Sequence, residues 1–480
     1  WAATGGSVII NKNANKLVSN TYGTGYTNGR KSYIGQFTYD YAGKYIANFT
    51  YRYDGSANFA PDQRWGFFPS GSGAWVISKE NFFKNVKGIQ MLKLRASLGL
   101  TGNDAIGGFQ WEDSYIPGNN SFLGTAPTLN PGIRYGVVPN PNITWEKYLN
   151  KNIGIDIDFL NNFSSSLDYW RNYTYDILGT RIQTTPPTYS RPLPAVNYGK
   201  EIAQGLDFSL NYHNIVGQLS YGVGIVASYG YAWYKQKDQN VTYDYQNQIG
   251  DGRTTSMVTG YKVDHMLRTQ SDVDAWLAKY PHYSFYGDIP QAGDFVYKDI
   301  SGPNGKADGT IDDNDYTIIK KRNAPIVGGL HLEAAWKGIS ISATFNGSFG
   351  YLKSFNSLAQ GVEWNRMWEQ WYANSWTPQN TNAWLPYRYS ANAEKNGDNN
   401  ATSDFWMADA SFLRLKSLNI GYDLPQRLYK KYLNGVRFYV SGSNLFIISK
   451  FNKRFFDPEI GSGVSFPTVK SFNAGISVTF

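Results

Sequence analysis

An acidic segment between Asp299 and Asp315 contains the side chains of this sequence that are best suited to bind a metal ion. Its carboxylates are closely spaced around glycines. A hard cation such as Ca²⁺ takes about six to eight oxygen ligands, and glycine lets the backbone turn between them. We therefore predict that Asp299, Asp308, Asp312 and Asp315 bind a structural Ca²⁺ that orders this loop. The alternative is a solvated acidic turn held by hydrogen bonds between side chains and backbone, which Asp, Asn and Gly favour without metal.

No other group of reactive side chains has the spacing of a catalytic site. The histidines form no HExxH motif and no i,i+4 metal pair: His213, His265, His282 and His331. Ser72 lies between two glycines but lacks the G-x-S-x-G sequence of a nucleophile elbow. The sequence contains 0 Cys, which removes disulfides, thiolate metal sites and cysteine nucleophiles together. We expect a protein that is not an enzyme.

A second segment of interest carries five large aromatic side chains at helical spacing: Trp364, Trp368, Trp371, Tyr372 and Trp376. Such rings could stack on sugars or gate a channel, because each presents apolar area with a polar edge. A short amphipathic helix that packs a long loop onto the rest of the protein would show the same spacing. Both interpretations remain open, and we favour packing.

Strands with one apolar and one polar face must position these loops. From Ser471 to Phe480 apolar and polar residues alternate, and an aromatic residue comes last. Because side chains alternate along a strand, one face is apolar and the other polar, as an outer-membrane β-barrel requires. Similar alternation surrounds turns at Asn161-Asn162 and Lys337-Gly338. Near Lys416-Ser417 the alternation changes phase, which predicts a β-bulge.

The composition agrees with a β-rich membrane protein. Aromatic residues make up 16% of the sequence, there are 49 Gly, and the mean hydropathy is -0.44. No run approaches the roughly 20 apolar residues of a membrane helix, so strands must do any spanning. The net charge of +8 is spread over single Lys and Arg residues rather than a basic block. Nucleic-acid binding is therefore not indicated.

The connections between the predicted strands differ greatly in length. Some turns are very short, whereas residues 232–328 and 350–408 form long polar stretches rich in Trp, Asn, Asp and Gly. Outer-membrane barrels have short periplasmic turns and long extracellular loops. We therefore predict that these two long stretches face the outside of the cell.

Several segments, in this order along nearly the whole chain, resemble the SusC/RagA-like TonB-dependent outer-membrane transporters: Tyr51–Phe59, Gly66–Ser70, Ala74–Ser78, Leu92–Asp104, Pro139–Glu146, Asn197–Glu201, Ser411–Pro425 and Val440–Phe446. The resemblance implies an all-β fold, a 22-stranded antiparallel transmembrane barrel, of which residues 1–480 form the C-terminal portion with about 14 strands. It implies that the plug domain, the TonB-binding box and the first strands are not in this sequence. The segment Asp308–Asp312 also resembles half of an aspartate-rich loop of that family.

For function, the resemblance implies TonB-dependent import of bulky nutrients, oligosaccharides or peptides, across the bacterial outer membrane. The expected partners are a SusD-like surface lipoprotein that acts as a lid, TonB, outer-membrane lipid and the cargo. The alternatives from other classes are a passive outer-membrane porin or adhesin barrel, and a soluble β-rich carbohydrate-binding protein. Barrel scaffolds share one fold among many cargoes, so the substrate is not readable from the sequence.

Overall fold

The structure is a computed structural model that describes residues 9–10, 17–18, 29–117, 121–123, 128–130, 132–181, 185–186, 188–189, 191–238, 254–302, 305–356, 373–388, 399–429, 433–461, 465–466 and 468–480. Within these residues, one 13-stranded antiparallel sheet dominates, and each strand pairs with the next along the chain. Its strands are β1 (Arg30–Tyr41), β2 (Tyr45–Ser56), β3 (Trp65–Val76), β4 (Ile89–Asn103), β5 (Glu146–Phe159), β6 (Phe163–Gly179), β7 (Val196–Val216), β8 (Leu219–Gln236), β9 (Ile326–Trp336), β10 (Ile339–Phe349), β11 (Phe412–Asp423), β12 (Gly435–Ile448) and β13 (Ser471–Thr479).

The predicted alternation is present in the sheet and gives it two different faces. In β5 the apolar side chains of Ile153 and Ile155 lie opposite Ala96 and Leu94 of β4, so apolar residues collect on one face. This face remains uncovered: Ile153 is 65% exposed and Phe37 is 67% exposed. Soluble proteins rarely leave so large a continuous apolar surface open, whereas a barrel turns it toward lipid.

The two ends of the sheet differ in the length of their connections: those at one end have at most 12 residues, whereas five of the six at the other end have 16 or more. Residues 42–44, 77–88, 160–162, 217–218, 337–338 and 424–434 form the turn end, and residues 57–64, 104–145, 180–195, 237–325, 350–411 and 449–470 connect strands at the loop end. At the turn end, Lys337 (φ 48°) and Gly338 (φ 86°) both adopt the left-handed conformation that a two-residue hairpin turn requires. The predicted asymmetry of the connections is confirmed.

The strand count and the bulge can also be compared with expectation. The sheet has 13 strands in the described residues, against the expected number of about 14. In that part of the chain β1 and β13 are its two edges and do not pair with each other. Thr344 of β10 pairs with Ser417 and Phe345 pairs with Leu415, so Lys416 is the extra residue of a bulge. The bulge predicted near Lys416-Ser417 is confirmed.

Smaller elements occur in the connections. Among the elements of the described residues, α1 (Gln270–Lys279) and α2 (Lys450–Arg454) are α-helices, and short 3₁₀ turns cover Pro61–Gln63, Ile77–Lys79, Asn81–Phe83, Asp313–Asp315, Asp404–Trp406 and Gln426–Leu428. Short strands pair Ile9–Ile10 with Leu17–Val18, Tyr115–Pro117 with Ile133–Tyr135, Ser121–Leu123 with Thr128–Asn130, Val258–Gly260 with Thr317–Lys320, Val263–Met266 with Phe295–Tyr297, Ser284–Phe285 with Thr310–Ile311, and Leu352–Ser354 with Met407–Asp409. None of the helices in the described ranges has the length and apolarity to cross a membrane.

Candidate functional site

Three long connections of the loop end share one hydrophobic core, and we call the body that they form the loop lobe: residues 254–302, 305–325, 350–356, 373–388, 399–411 and 449–461. The core contains large side chains from each connection, including Tyr297, Ile311, Phe355, Leu385, Trp406 and Phe451. Such burial stabilises loops that carry few regular elements. The lobe is therefore a packed body at the loop end of the sheet.

Side-chain to backbone hydrogen bonds connect the three segments. Arg268 donates from Nη1 to the carbonyl oxygens of Thr381 (2.7 Å) and Ala383 (2.8 Å), which joins the first segment to the second. Lys353 donates from Nζ to the carbonyl oxygen of Pro458 (2.8 Å), which joins the second to the third. Because the partners are far apart in the sequence, these bonds fix how the segments lie against each other.

A buried polar pair lies in the centre of the lobe. Asp294 is 0% exposed and Asn399 is 2% exposed, and Asn399 donates from Nδ2 to Oδ1 of Asp294 at 2.9 Å. Asn399 also accepts from the backbone N–H of Phe295 (2.8 Å), and its carbonyl oxygen accepts from Nε1 of Trp406 (2.9 Å). Buried polar groups are costly unless they are hydrogen-bonded, so this satisfied network specifies one arrangement of the lobe.

The first half of the predicted calcium loop is held by its own backbone. The carboxylate of Asp299 accepts from the N–H groups of Asp308 (3.3 Å) and Gly309 (2.5 Å). Asp308 in turn accepts from the N–H of Thr310 at 2.9 Å. These are the local bonds that Asp and Gly make in turns without a metal ion.

The second half is held in the same manner. Asp312 accepts from the N–H of Asn314 at 2.7 Å and caps a 3₁₀ turn. Asp315 is buried and accepts from the N–H groups of Ile300 (2.7 Å) and Ser301 (3.1 Å) through one oxygen and of Asp312 (3.1 Å) through the other. Asp315 thus connects the beginning of the loop to its end.

The structure brings the four predicted ligands into one loop but engages their oxygens with backbone N–H groups. Among the residues that the structure describes, no group of three or more His, Asp or Glu side chains is arranged to hold a metal ion. The hydrogen bonds favour the acidic turn over the calcium site. Calcium binding by Asp299, Asp308, Asp312 and Asp315 stays a prediction.

Burial changes the acidity of two groups beside this loop. It raises the pKa of Asp315 to about 6, although three backbone N–H groups stabilise the ionised form. It also raises the pKa of Tyr286 to about 12, helped by the hydrogen bond that Tyr286 donates to Asp313 at 2.5 Å. Tyr286 therefore stays neutral at physiological pH and connects the acidic loop to Tyr261, whose hydroxyl lies 2.7 Å away.

The other candidates have structural partners. Trp376 is buried in the lobe core next to Tyr387, as the packing interpretation predicts for this residue. The remaining members of the aromatic segment lie outside the described residues: Trp364, Trp368, Trp371 and Tyr372. Of the histidines, His265 contacts Asp264, His213 contacts Ser220 and His331 contacts Thr344.

The segments that carry the family resemblance meet at a second junction of the loop end. Phe59, Phe68, Ile143 and Trp145 form a small buried cluster from two connections and one strand. Trp145 also donates from Nε1 to the carbonyl oxygen of Arg64 at 2.9 Å. Three of the motif segments, Tyr51–Phe59, Gly66–Ser70 and Pro139–Glu146, thus pack together.

Charged and polar motif residues surround this cluster. Asp104 is buried and accepts from Ser56 Oγ (2.6 Å) and from Arg30 Nε (2.8 Å) and Nη2 (2.5 Å). Asn197 pairs with the backbone of Thr144 through both ends of its amide, at 2.9 Å and 2.8 Å. The motifs therefore tie the loop-end connections of β2 to β7 together.

The polar face of the sheet carries an ion-pair network that sequence reasoning missed. Arg95 of β4 donates two hydrogen bonds to Asp156 of β5 (2.8 and 2.7 Å) and two to Asp168 of β6 (3.0 and 2.9 Å). Gly154 lies between them, and a Cβ at this position would be 2.3 Å from Asp168 and 2.8 Å from Arg95. The glycine therefore leaves room for the guanidinium to reach across a strand. In the sequence, the one sign of this network was Gly154, a glycine at a position where the alternation places a side chain on the polar face.

A second missed group joins the sheet to the loop lobe. Arg414 of β11 is buried, with a side chain that is 4% exposed, and it donates to both carboxylate oxygens of Asp457 at 2.6 and 2.5 Å. It also forms an ion pair with Glu459. The partners are more than forty positions apart along the chain, so no local pattern in the sequence predicts that they pair.

Comparison with known proteins agrees with this geometry. No family model matches the chain. The chain is 28% identical over 477 residues to the TonB-dependent receptor P3 of Formosa agariphila, which covers 94% of this chain and 45% of that relative. It is 28% identical over 471 residues to the TonB-dependent receptor SusC of Bacteroides thetaiotaomicron, which covers 94% of this chain and 43% of SusC. The chain thus spans less than half the length of the curated relatives it matches.

Solved structures give the same result for the fold. The RagAB peptide transporter matches with a TM-score of 0.71 and 22% sequence identity, over 94% of this chain and 48% of the transporter chain. The "open-open" state of the RagAB peptide importer matches with a TM-score of 0.72. The resemblance to SusC/RagA-like TonB-dependent transporters is confirmed, as is the all-β barrel type of fold. The two curated relatives are receptors by name, which agrees with the expectation of a protein that is not an enzyme.

Proposed function

We propose that this chain forms the C-terminal part of the barrel of an outer-membrane transporter that imports bulky nutrients with energy supplied through TonB. The observation that carries the proposal is a continuous antiparallel sheet with an uncovered apolar face, a charged polar face and its longest connections at one end. Lipid outside, water inside and large extracellular loops are what such a barrel requires. The similarity to TonB-dependent receptors supports TonB as the source of energy for import.

On this proposal the barrel is completed by further strands beyond the 13 of this sheet. β1 and β13 each leave one row of backbone N–H and C=O groups without a partner among the described residues. Unpaired groups in lipid cost several kcal/mol each, so both edges must be closed by further strands. The 22-stranded barrel, the plug domain and the TonB-binding box all belong to this proposal.

The loop lobe provides the proposed surface for a lid and for cargo. It is a packed body with its own core, and binding residues commonly lie on loops that a rigid scaffold positions. A SusD-like surface lipoprotein would cover it, and lid opening would gate entry of an oligosaccharide or a peptide. The similarity to the RagAB peptide transporter supports a peptide as the cargo, and an oligosaccharide remains the alternative within this proposal.

Cysteine labelling of whole cells tests the orientation. Because these 480 residues contain 0 Cys, a single introduced cysteine reports on its own position. Ala278→Cys, on the exposed side of α1, should react with a membrane-impermeant maleimide added outside intact cells. Leu428→Cys is the matched control, because Leu428 is exposed but lies at the turn end. Labelling of Leu428→Cys and protection of Ala278→Cys would refute the orientation.

Energy coupling needs a separate experiment with the full-length protein. Uptake of fluorescent oligosaccharides and of fluorescent peptides is measured in cells with and without functional TonB. We expect uptake of one cargo class to require TonB. Uptake that is equal in both strains would instead support a passive porin.

A further inference from the structure

A row of polar and cationic side chains crosses the otherwise apolar face of the sheet near its loop end. Lys151 of β5 lies directly opposite Arg171 of β6, Arg171 lies opposite Gln204 of β7, and Gln204 lies opposite Tyr231 of β8. The neighbouring row toward the turn end is apolar or aromatic throughout: Ile153, Tyr169, Leu206 and Tyr229. The change occurs within one row, and this marks the boundary between hydrocarbon and headgroups.

Aromatic rings hold the cations of this surface in place. The guanidinium of Arg171 lies 5.9 Å from the centre of the Trp233 ring, and that of Arg322 lies 3.5 Å from the Tyr231 ring. The ammonium group of Lys235 lies 5.4 Å from the Tyr173 ring. Cation–π contacts orient such side chains without neutralising their charge. We call Lys151, Arg171, Lys235 and Arg322, with these rings, the cationic belt.

Among the described side chains, the charge of the belt has no carboxylate to balance it. In the described part of the chain, no carboxylate lies within ion-pair distance of Lys151, Arg171, Lys235 or Arg322, and the nearby Asp176 already pairs with Lys147 at 3.0 Å. Lys151 and Arg171 are directly opposite each other on neighbouring strands, an arrangement that destabilises a sheet when the charges are alike. An anion between them would remove this repulsion.

We propose that the cationic belt binds the phosphate groups of a phosphorylated glycolipid in the outer leaflet. The belt continues without interruption into the apolar face, so one lipid can place its phosphates on Lys151 and Arg171 and its acyl chains on the side chains below them. A free phosphate ion would use only the first of these two surfaces. The inference rests on the proposed outer-membrane orientation, because it requires the loop end to lie in the outer leaflet.

The test uses the full-length protein in nanodiscs of zwitterionic phosphatidylcholine with added diphosphoryl lipid A. Native mass spectrometry measures the glycolipid that stays bound. A Lys or Arg near a membrane surface contributes about 1 kcal/mol to attraction of anionic lipid, which is about fivefold in affinity. We therefore expect Lys151→Gln/Arg171→Gln to weaken glycolipid binding about 25-fold.

Lys337→Gln is the matched control, because Lys337 also lies over an aromatic ring, 4.8 Å from the centre of Trp336, but at the turn end. It should leave glycolipid binding unchanged. In the unaltered protein, dephosphorylated lipid A should bind much more weakly, which keeps the test valid if the double variant folds poorly. Equal binding of both forms of lipid A, or loss of binding in Lys337→Gln alone, would overturn the proposal.

Two further results separate the possible causes of failure. Complete displacement of the glycolipid by inorganic phosphate would indicate a site for free anions and would also overturn the inference. Labelling at Ala278→Cys decides the orientation independently. If that cysteine is labelled from outside and glycolipid binding does not depend on the belt, the further inference is wrong while the proposed function stands.

Discussion

Replacement of Arg414 by Gln should detach part of the loop lobe while leaving the sheet folded. Arg414 is the buried cation that holds Asp457 and Glu459, through a two-point contact with the first and an ion pair with the second. Removing one partner of a buried ion pair costs about 3–5 kcal/mol, because the remaining charge stays buried without compensation. Since the side chains of Asp457 and Glu459 are 13% and 25% exposed, water offsets part of this cost. We expect a loss of about 3 kcal/mol.

Hydrogen exchange of the full-length protein in nanodiscs measures this loss locally. A loss of about 3 kcal/mol corresponds to an increase of roughly two orders of magnitude in the opening of α2 and the residues that follow it. The strands β4 to β8 should keep their protection. The matched control is Arg437→Gln, because the side chain of Arg437 is 45% exposed and pairs with Asp423 at the turn end. Such an exposed pair contributes at most about 1 kcal/mol.

Acid should weaken the unaltered protein more than the Arg414→Gln variant. Burial of Asp457 opposes ionisation, but the N–H of Glu459 and the guanidinium of Arg414 outweigh it, so the pKa of Asp457 lies below its ordinary value of 3.8. The ionised form is therefore stabilised by folding, and attachment of this segment weakens as the pH falls through that lowered pKa. Without Arg414 the carboxylate of Asp457 loses its guanidinium partner and its pKa should rise, so the variant should lose less protection on acidification than the unaltered protein. Equal exchange in Arg414→Gln and Arg437→Gln, with the same pH dependence, would refute this reasoning.

Three further predictions concern other parts of the chain. Gly154→Ala should break the contact between Arg95 and Asp168 and lower stability by about 1 kcal/mol, measured as the midpoint of heat-dependent gel mobility of the full-length barrel. Gly179→Ala is the control, because Gly179 has open space around it and, like Gly154, no positive φ; equal effects would contradict the explanation. Burial raises the pKa of Asp315 to about 6, so the ionised carboxylate is disfavoured in the folded loop lobe. Protection of the lobe from hydrogen exchange should therefore fall as the pH rises from about 4 to about 6 and stay constant above. Asp315→Asn should remove this pH dependence, and a dependence that persists would assign it to another group. If Asp299, Asp308, Asp312 and Asp315 bind Ca²⁺, then added Ca²⁺ should slow proteolysis between residues 299 and 315. The double variant Asp308→Asn/Asp312→Asn should abolish this protection. Identical proteolysis in Ca²⁺ and in EDTA would leave the hydrogen-bonded turn as the explanation.

The sequence alone was sufficient to predict the parts of the fold that depend on local periodicity. Alternation with period two identified the strands and their two faces. The short turn at Lys337-Gly338 and the long loops distinguished the turn end of the sheet from the loop end. The change of phase at Lys416 predicted the bulge, because one extra residue moves every following side chain to the other face. These features are visible in the sequence because their causes act between near neighbours.

The acidic loop shows where such reasoning stopped. Its composition is compatible with a calcium site and with a hydrogen-bonded turn, and the choice depends on where each carboxylate oxygen points. The structure directs the oxygens of Asp299 and Asp315 at backbone N–H groups from the other end of the loop. Side-chain direction is set by the surrounding fold, so the spacing of Asp residues could not decide between the two.

Only the tertiary structure decided how the long connections combine and which charges meet. Asn399 and Asp294 are paired in the centre of the loop lobe although they are 105 positions apart, and Arg414 reaches Asp457 in another connection. The cationic belt likewise exists only because the strand register places Lys151 opposite Arg171. The sequence determined which residues could face lipid or water, since that depends on alternation along one strand. Which of them became partners depended on the register between strands and on loop closure, and these follow from the packing of the whole chain.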